Sequence, residues 1–142
     1  MPRDQGTIDA LLDAMRVLRR HYDDRARGMG LTMSRARVIS ALSRIEGASQ
    51  AELATELDIE APTLKRLLDG LEADGFVTRR PMEGDARKNA LFLTPRGRDS
   101  GIIAFGRQLR SDVVEGIEAE DLRRTRDTLR RIAANIARLS GK

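Results

Sequence analysis

The chain has no cysteine among its 142 residues. That absence removes disulfides, thiolate nucleophiles, thiol-based oxidation sensing and thiolate metal ligation together. Tryptophan is also missing, and the aromatics amount to one tyrosine and three phenylalanines. Rings so few do not make the row of stacking platforms on which single strands of nucleic acid are held. His21 is the only histidine, no Asp/Glu/His set has metal-ligand spacing, and no glycine-rich phosphate loop occurs. Catalytic residues, metal and cofactor are therefore all expected to be absent, and the chain is not expected to be an enzyme. Apolar residues never run together for the roughly 18 positions a membrane span needs, and Asp4, Asp9 and Asp13 interrupt the N-terminal ones. Neither a membrane partner nor a signal peptide is expected, which makes the cytoplasm the expected location.

What is present is enough for a core: 40% of residues are hydrophobic, suited to one domain or a small domain with appended elements. The net charge of +4 says little until it is located. Residues 79–98 hold Arg79, Arg80, Arg87, Lys88, Arg96 and Arg98 against Glu83 and Asp85, so this short segment carries as much net charge as the whole chain. Such a concentration suits phosphate binding driven by counterion release. A solvated loop that happens to be basic is the other reading.

The segment follows a stretch with two different periods. Leu64, Leu67, Leu68 and Leu71 have the spacing of one buried helix face over about 61–74. Past Gly75 the pattern changes to two short strands, Phe76 to Arg80 and Leu91 to Thr94, with a polar, cationic connection between them. Upstream, residues 7–27 read as a helix with Ile8, Leu11, Leu12, Met15, Leu18 and Tyr22 on one stripe, ended by Gly28 and Gly30. Thr32 is a candidate N-cap for a second helix with Ala36, Ile39, Ala41, Leu42 and Ile45 inward, closed by Gly47. Ser49, Gln50, Ala51 and Glu52 spell a capping box that starts a third helix through Leu53, Ala54 and Leu57. Asp58, Ile59 and Glu60 connect it to the next helix, where Pro62 suits the first turn. Two short helices so joined make a helix-turn-helix. Thr94 and Pro95 begin the last part, read as one helix over about 95–116 and another over about 119–140.

The run SQAELATELDIEAPTLKRLLDGLEADGFVTRR followed by GDARKNALFLTPRG resembles the MarR family of bacterial transcriptional regulators, SlyA-type members included. The resemblance is carried by the capped Leu53-Ala54 helix, the Leu71-Glu72 pair before Gly75, Asp85-x-Arg87, and Leu93-Thr94-Pro95-x-Gly97, in that order and spacing. It implies a mainly α (α+β) fold: a winged helix-turn-helix DNA-binding domain at 31–97, with N- and C-terminal dimerisation helices at 1–30 and 98–142. Two departures stand out. Asp58 occupies a turn where the family often has glycine, tolerable because Asp adopts left-handed φ. Ala86 replaces a second wing arginine, leaving Arg87 with Lys88 as helper.

The resemblance further implies a dimeric, sequence-specific double-stranded DNA-binding transcriptional regulator, expected to be a repressor, on a pseudo-palindromic operator with half-sites about one DNA turn apart. Ala61, Pro62, Thr63, Lys65 and Arg66 would face the major groove, with Arg66 the strongest candidate for bidentate contact to guanine. Lys65 serves a phosphate equally well, and Thr63 a thymine methyl or a phosphate. Arg87, oriented by Asp85, would enter the minor groove, although Asp85 with Gly84 also suits a plain hairpin turn. Ser49 and Gln50 would contact phosphate, and capping accounts for Ser49 as well. Members of the family often bind a small phenolic or anionic effector between dimerisation helices and winged module. His21, Tyr22 and Arg25, with Met29 and Met33, are the candidates here, against the plainer reading that they pack or face solvent. An architectural DNA-binding protein with weak sequence preference is the alternative function.

Overall fold

The computed structural model describes residues 6–141. Residues 1–5 and 142, at the two ends of the expected dimerisation region, and the side chain of Ala86 lie outside the described set. The described residues divide into two compact units that meet between Gly106 and Arg107.

The first unit begins with α1 (Gly6–Gly28), followed by α2 (Met33–Arg44), α3 (Gln50–Leu57) and α4 (Ala61–Ala73). Each start has a local cause. Thr32 caps α2 by accepting from the Arg35 N–H, and Ser49 caps α3 in a complete capping box with Glu52. The Ser49 hydroxyl accepts from the Glu52 N–H at 3.1 Å, and the Glu52 carboxylate accepts from the Ser49 N–H at 3.1 Å. Asp58 closes α3 with φ 52°, the left-handed conformation that a short polar side chain tolerates. Leu53 and Leu57 of α3 pack with Leu64, Leu68 and Leu71 of α4 and with Ala36, Val38, Ile39 and Leu42 of α2. Fully burying a leucine contributes about 1.5–3 kcal/mol, so these faces fix how α4 is seated.

An antiparallel ribbon, β1 (Val77–Met82) and β2 (Asp85–Leu93), follows α4. Both strands are longer than expected: Pro81, Met82, Asp85, Asn89 and Ala90, within the segment taken as a polar connection, are paired, and only Glu83 and Gly84 lie between the strands. The register keeps Pro81 opposite Asn89 but then sets Met82 opposite Asp85, so residues 86–88 bulge from β2 without partners. Chain polarity hid this extension, because a two-stranded ribbon exposed on both faces needs no apolar alternation. A further bridge, Ser49 to Ala90, ties the start of α3 to β2, with the Gly47 N–H donating to the Leu91 carbonyl at 2.7 Å.

The helix expected over 95–116 is broken. A short α5 (Pro95–Arg98), capped by Thr94, stops before Gly101, whose φ is +90°, and α6 (Ile102–Asp112) starts anew. Left-handed backbone at Gly101 cannot continue a helix, and the Ser100 hydroxyl takes over capping by donating to the Gly97 carbonyl at 2.9 Å. Gly97 itself has to lack a side chain, since a Cβ there would overlap the Phe76 carbonyl oxygen. The second unit holds the end of α6, a turn with Gly116 at φ +81°, and α7 (Ala119–Ser140). None of the residues of α7 is buried.

Candidate nucleic-acid interface

Helix α4 is two-sided. Leu64, Leu68 and Leu71 are buried, while Ala61, Pro62, Lys65, Arg66 and Asp69 are exposed and Thr63 is half-buried. Its N-cap residue Glu60 makes no side-chain cap, so the first-turn N–H groups stay open to an incoming acceptor. Arg66 makes no hydrogen bond or ion pair among the described residues. Lys65 differs: its Nζ donates to Asp69 Oδ2 at 3.1 Å, one turn further along. The start of α3 contrasts with that of α4, because both the hydroxyl and the N–H of Ser49 are engaged by Glu52. The hydroxyl acts there as an acceptor, so its own proton is left to donate to a phosphate without breaking the cap. The same cap, first through the Ser49 N–H and then its hydroxyl, holds the Glu52 carboxyl below the usual carboxylate range. Gln50, half-buried beside it, makes no side-chain hydrogen bond among the described residues.

In the ribbon, the Arg87 side chain is 93% exposed and lies in the bulge of β2. Asp85 turns the backbone there by accepting from the Arg87 N–H at 3.0 Å, and the same oxygen stands 3.4 Å from Arg87 Nε. A bulge aims a side chain off the ladder, which gives Arg87 reach. Lys88 is exposed beside it.

The remaining basic residues of 79–98 are not all free. Arg79 is only 16% exposed and is held by α4: Nη1 donates to Glu72 Oε1 at 3.0 Å, and Nη2 stands 2.9 Å from Asp69 Oδ1 as an ion pair off the hydrogen-bond alignment. Arg98 pairs with Glu46 at 2.8 Å, and Glu46 also accepts from the Leu93 N–H at 2.9 Å. Arg80 and Arg96 lie over the rings of Phe92 and Phe76 at 4.4 and 4.5 Å from their centroids. Part of the cationic segment thus fastens the ribbon to the helices, a use that charge counting does not separate from phosphate binding.

Sequence reasoning also missed Arg35. Its Nη1 donates to Asp74 Oδ2 at 2.6 Å, and its guanidinium lies where a Cβ on Gly70 would be. A glycine inside a helix costs about 1 kcal/mol relative to alanine; here it admits the clamp between α2 and α4. Mid-helix glycine was the available signal.

The effector candidates meet at one ring. His21 and Tyr22 lie 5.9 and 5.5 Å from Phe105, ring centre to ring centre, and the Arg25 guanidinium sits 5.0 Å from its centroid. The Tyr22 hydroxyl is 3.4 Å from Ser40 Oγ. His21 and Arg25 are exposed, and Tyr22 is half-buried; Phe105, which joins them, was not singled out from the sequence. No group of His, Asp and Glu that would hold a metal ion occurs among the described residues.

A capped helix-turn-helix, an antiparallel ribbon with a projecting arginine, and long flanking helices together define a winged helix-turn-helix of the kind found in transcription regulators. Residues 29–88 match the model of the MarR family. The transcriptional regulator PA3341 is 34% identical, with 92% of this chain and 97% of that one aligned at a TM-score of 0.78. A MarR-family transcriptional regulator from Silicibacter pomeroyi is 28% identical over 93% and 91% of the two chains, with a TM-score of 0.74. The S. aureus MepR–DNA complex, 19% identical, shares the fold at a TM-score of 0.82 over 94% of this chain and 99% of MepR. The chain belongs to the MarR family of transcription regulators.

Proposed function

We propose that the protein is a homodimeric repressor that binds a pseudo-palindromic double-stranded operator and responds to a small phenolic or anionic effector. The observation that carries this is the outward face of α4: Pro62, Lys65 and Arg66 exposed over a fully buried leucine row, with Arg87 projecting from the neighbouring ribbon. A helix of this kind fits the major groove, where an arginine donates two bonds to guanine, and a lone projecting arginine suits the narrow minor groove. MepR, which shares the fold, was solved bound to DNA.

Dimerisation follows from uncovered apolar surface. Ile8, Leu12, Met15 and Leu18 on one stripe of α1 are exposed, Leu12 at 56%, and Leu129, Ile136 and Leu139 on α7 are exposed too. Stripes of this size on long helices mark an interface between chains. A two-fold dimer presents two copies of α4, and a complex lying across an operator excludes other proteins from that duplex, which is repression in its simplest form. The effector reading rests on the cluster of His21, Tyr22 and Arg25 around Phe105: an aromatic wall with a cation at its edge suits a phenolate or aromatic acid. Such a compound regulates only if it binds two dimer conformations unequally.

Hydroxyl-radical footprinting on the DNA upstream of the protein's own gene tests the reading. Two protected patches on one face of the duplex, about 34–36 Å apart, are expected, and an aromatic acid is expected to weaken them. A single patch, or uniform protection along the fragment, contradicts it.

A further inference from the structure

Asp69 stands on the outward face of α4 one turn beyond Lys65, and its two carboxylate oxygens hold different cations. Oδ2 accepts from Lys65 Nζ at 3.1 Å, and Oδ1 lies 2.9 Å from Arg79 Nη2. The two ends are unlike. Arg79 is 16% exposed and fastened a second time to Glu72, whereas the Lys65 side chain is 66% exposed and has no other partner among the described residues. Arg79 thus keeps the carboxylate in place while Lys65 remains able to leave. Lys65 and Arg79, in that order, hold the Asp69 carboxyl below the usual carboxylate range, so it stays charged at neutral pH.

We propose that Asp69 is a specificity-determining residue of α4: anchored on Arg79, it holds Lys65 in an ion pair that withholds one cation from indiscriminate phosphate binding and yields it when α4 is seated on a cognate site. The inference rests on the duplex-DNA reading above. In a loosely held, non-specific complex, affinity comes from cations releasing phosphate counterions. A lysine already neutralised by a carboxylate gains little by exchanging it for a phosphate at similar distance. Once the helix is seated, Lys65 gains a close phosphate or base-edge contact as well, and its departure leaves Asp69 still compensated by Arg79. The carboxylate therefore lowers random binding more than cognate binding, which is discrimination by penalising the wrong partner.

The test is the salt dependence of binding, on the full chain, to a duplex that the wild-type protein selects from a random pool and to a scrambled duplex of the same composition. Asp69→Asn keeps the shape and one acceptor for Arg79. It is expected to bind the scrambled duplex about two- to fivefold more tightly, the range of an exposed ion pair, with a log–log salt slope steeper by about 0.9. In Lys65→Gln/Asp69→Asn that gain is expected to vanish. Lys65→Gln alone, which alters only an exposed side chain, is expected to lower the slope by about 0.9 on the selected duplex and to leave it unchanged on the scrambled one. The inference is overturned if Asp69→Asn changes neither quantity, if its gain persists with Lys65 replaced, or if Lys65→Gln lowers both slopes alike. Failure of the wild-type protein to prefer any selected duplex would instead remove the regulator reading itself, and the inference with it.

Discussion

Leu64 on α4 and Leu139 on α7 are the same residue type on helices with a clear apolar stripe, yet the first is fully buried and the second 66% exposed. The difference shows that an amphipathic pattern specifies a face that must be covered, not what covers it. For α4 the cover is supplied by α2, α3 and the ribbon, and ion pairs from Arg35 and Arg79 add orientation. Along α7 no residue is fully buried, and only Leu122 and Ile132 are half-buried. The first helix should then owe its stability to folding and the second to association, which depends on concentration.

Truncating the two stripes sharpens this contrast most. Leu68→Ala is expected to lower the unfolding free energy by about 2–5 kcal/mol, the cost of deleting a fully buried leucine side chain, as read by chemical denaturation. Leu139→Ala is expected to leave the denaturation midpoint of dilute protein unchanged and to raise the dimer dissociation constant about tenfold in sedimentation equilibrium, or about 1.4 kcal/mol. Equal effects of both changes on the dilute chain would break the comparison. Gly97→Ala follows in size: its Cβ would overlap the Phe76 carbonyl, and a loss of about 1–3 kcal/mol is expected with a matching fall in melting temperature.

The next contrast lies within the basic residues. Arg87→Ala is expected to weaken binding to every duplex and to flatten the salt slope by about one unit, whereas Arg98→Ala, which breaks the pair with Glu46, is expected to change thermal stability and leave that slope alone. Ser49→Ala should cost about 1 kcal/mol of stability through loss of the cap, seen by calorimetry. The smallest effect is a pH dependence. Because the capping box holds the Glu52 carboxyl below the usual carboxylate range, its contribution is present above that range and lost as the pH falls through the lower, folded value. In Glu52→Gln, which has no carboxyl to titrate, the acid limb of the stability curve should be correspondingly flatter over that window.

Much of this arrangement was legible in the sequence where the chemistry is local. The Ser49–Glu52 capping box, the Thr32 cap, Pro62 in a first turn and the leucine spacing of α4 all act within a turn or two of chain, and each falls where the residues place it. The missed features are long-range or depend on a register. Neither the bridge of Ser49 to Ala90 nor the clamp of Arg35 onto Gly70 and Asp74 has any local signature beyond an oddly placed glycine. The bulge at 86–88 follows from strand register, which a polar ribbon does not announce. The break after α5 did have a local sign, because Asp99-Ser100-Gly101 is a helix-ending triplet, but apolar residues on either side masked it. At the proposed interface the residue types were readable, but their availability was not: Lys65 and Arg79 look alike in a charge count, and only the fold shows both meeting Asp69.

The most direct test is equilibrium binding of the wild-type chain and Arg66→Ala to a duplex from upstream of its own gene and to single-base variants of it, at one fixed salt concentration. The wild-type protein should prefer the upstream duplex, with each harmful base change costing about 1–3 kcal/mol, and Arg66→Ala should lose that preference at one position per half-site while keeping it elsewhere. A wild-type protein indifferent to every base change, or an Arg66→Ala variant that weakens all duplexes equally, would contradict the assignment of α4 as the reading helix.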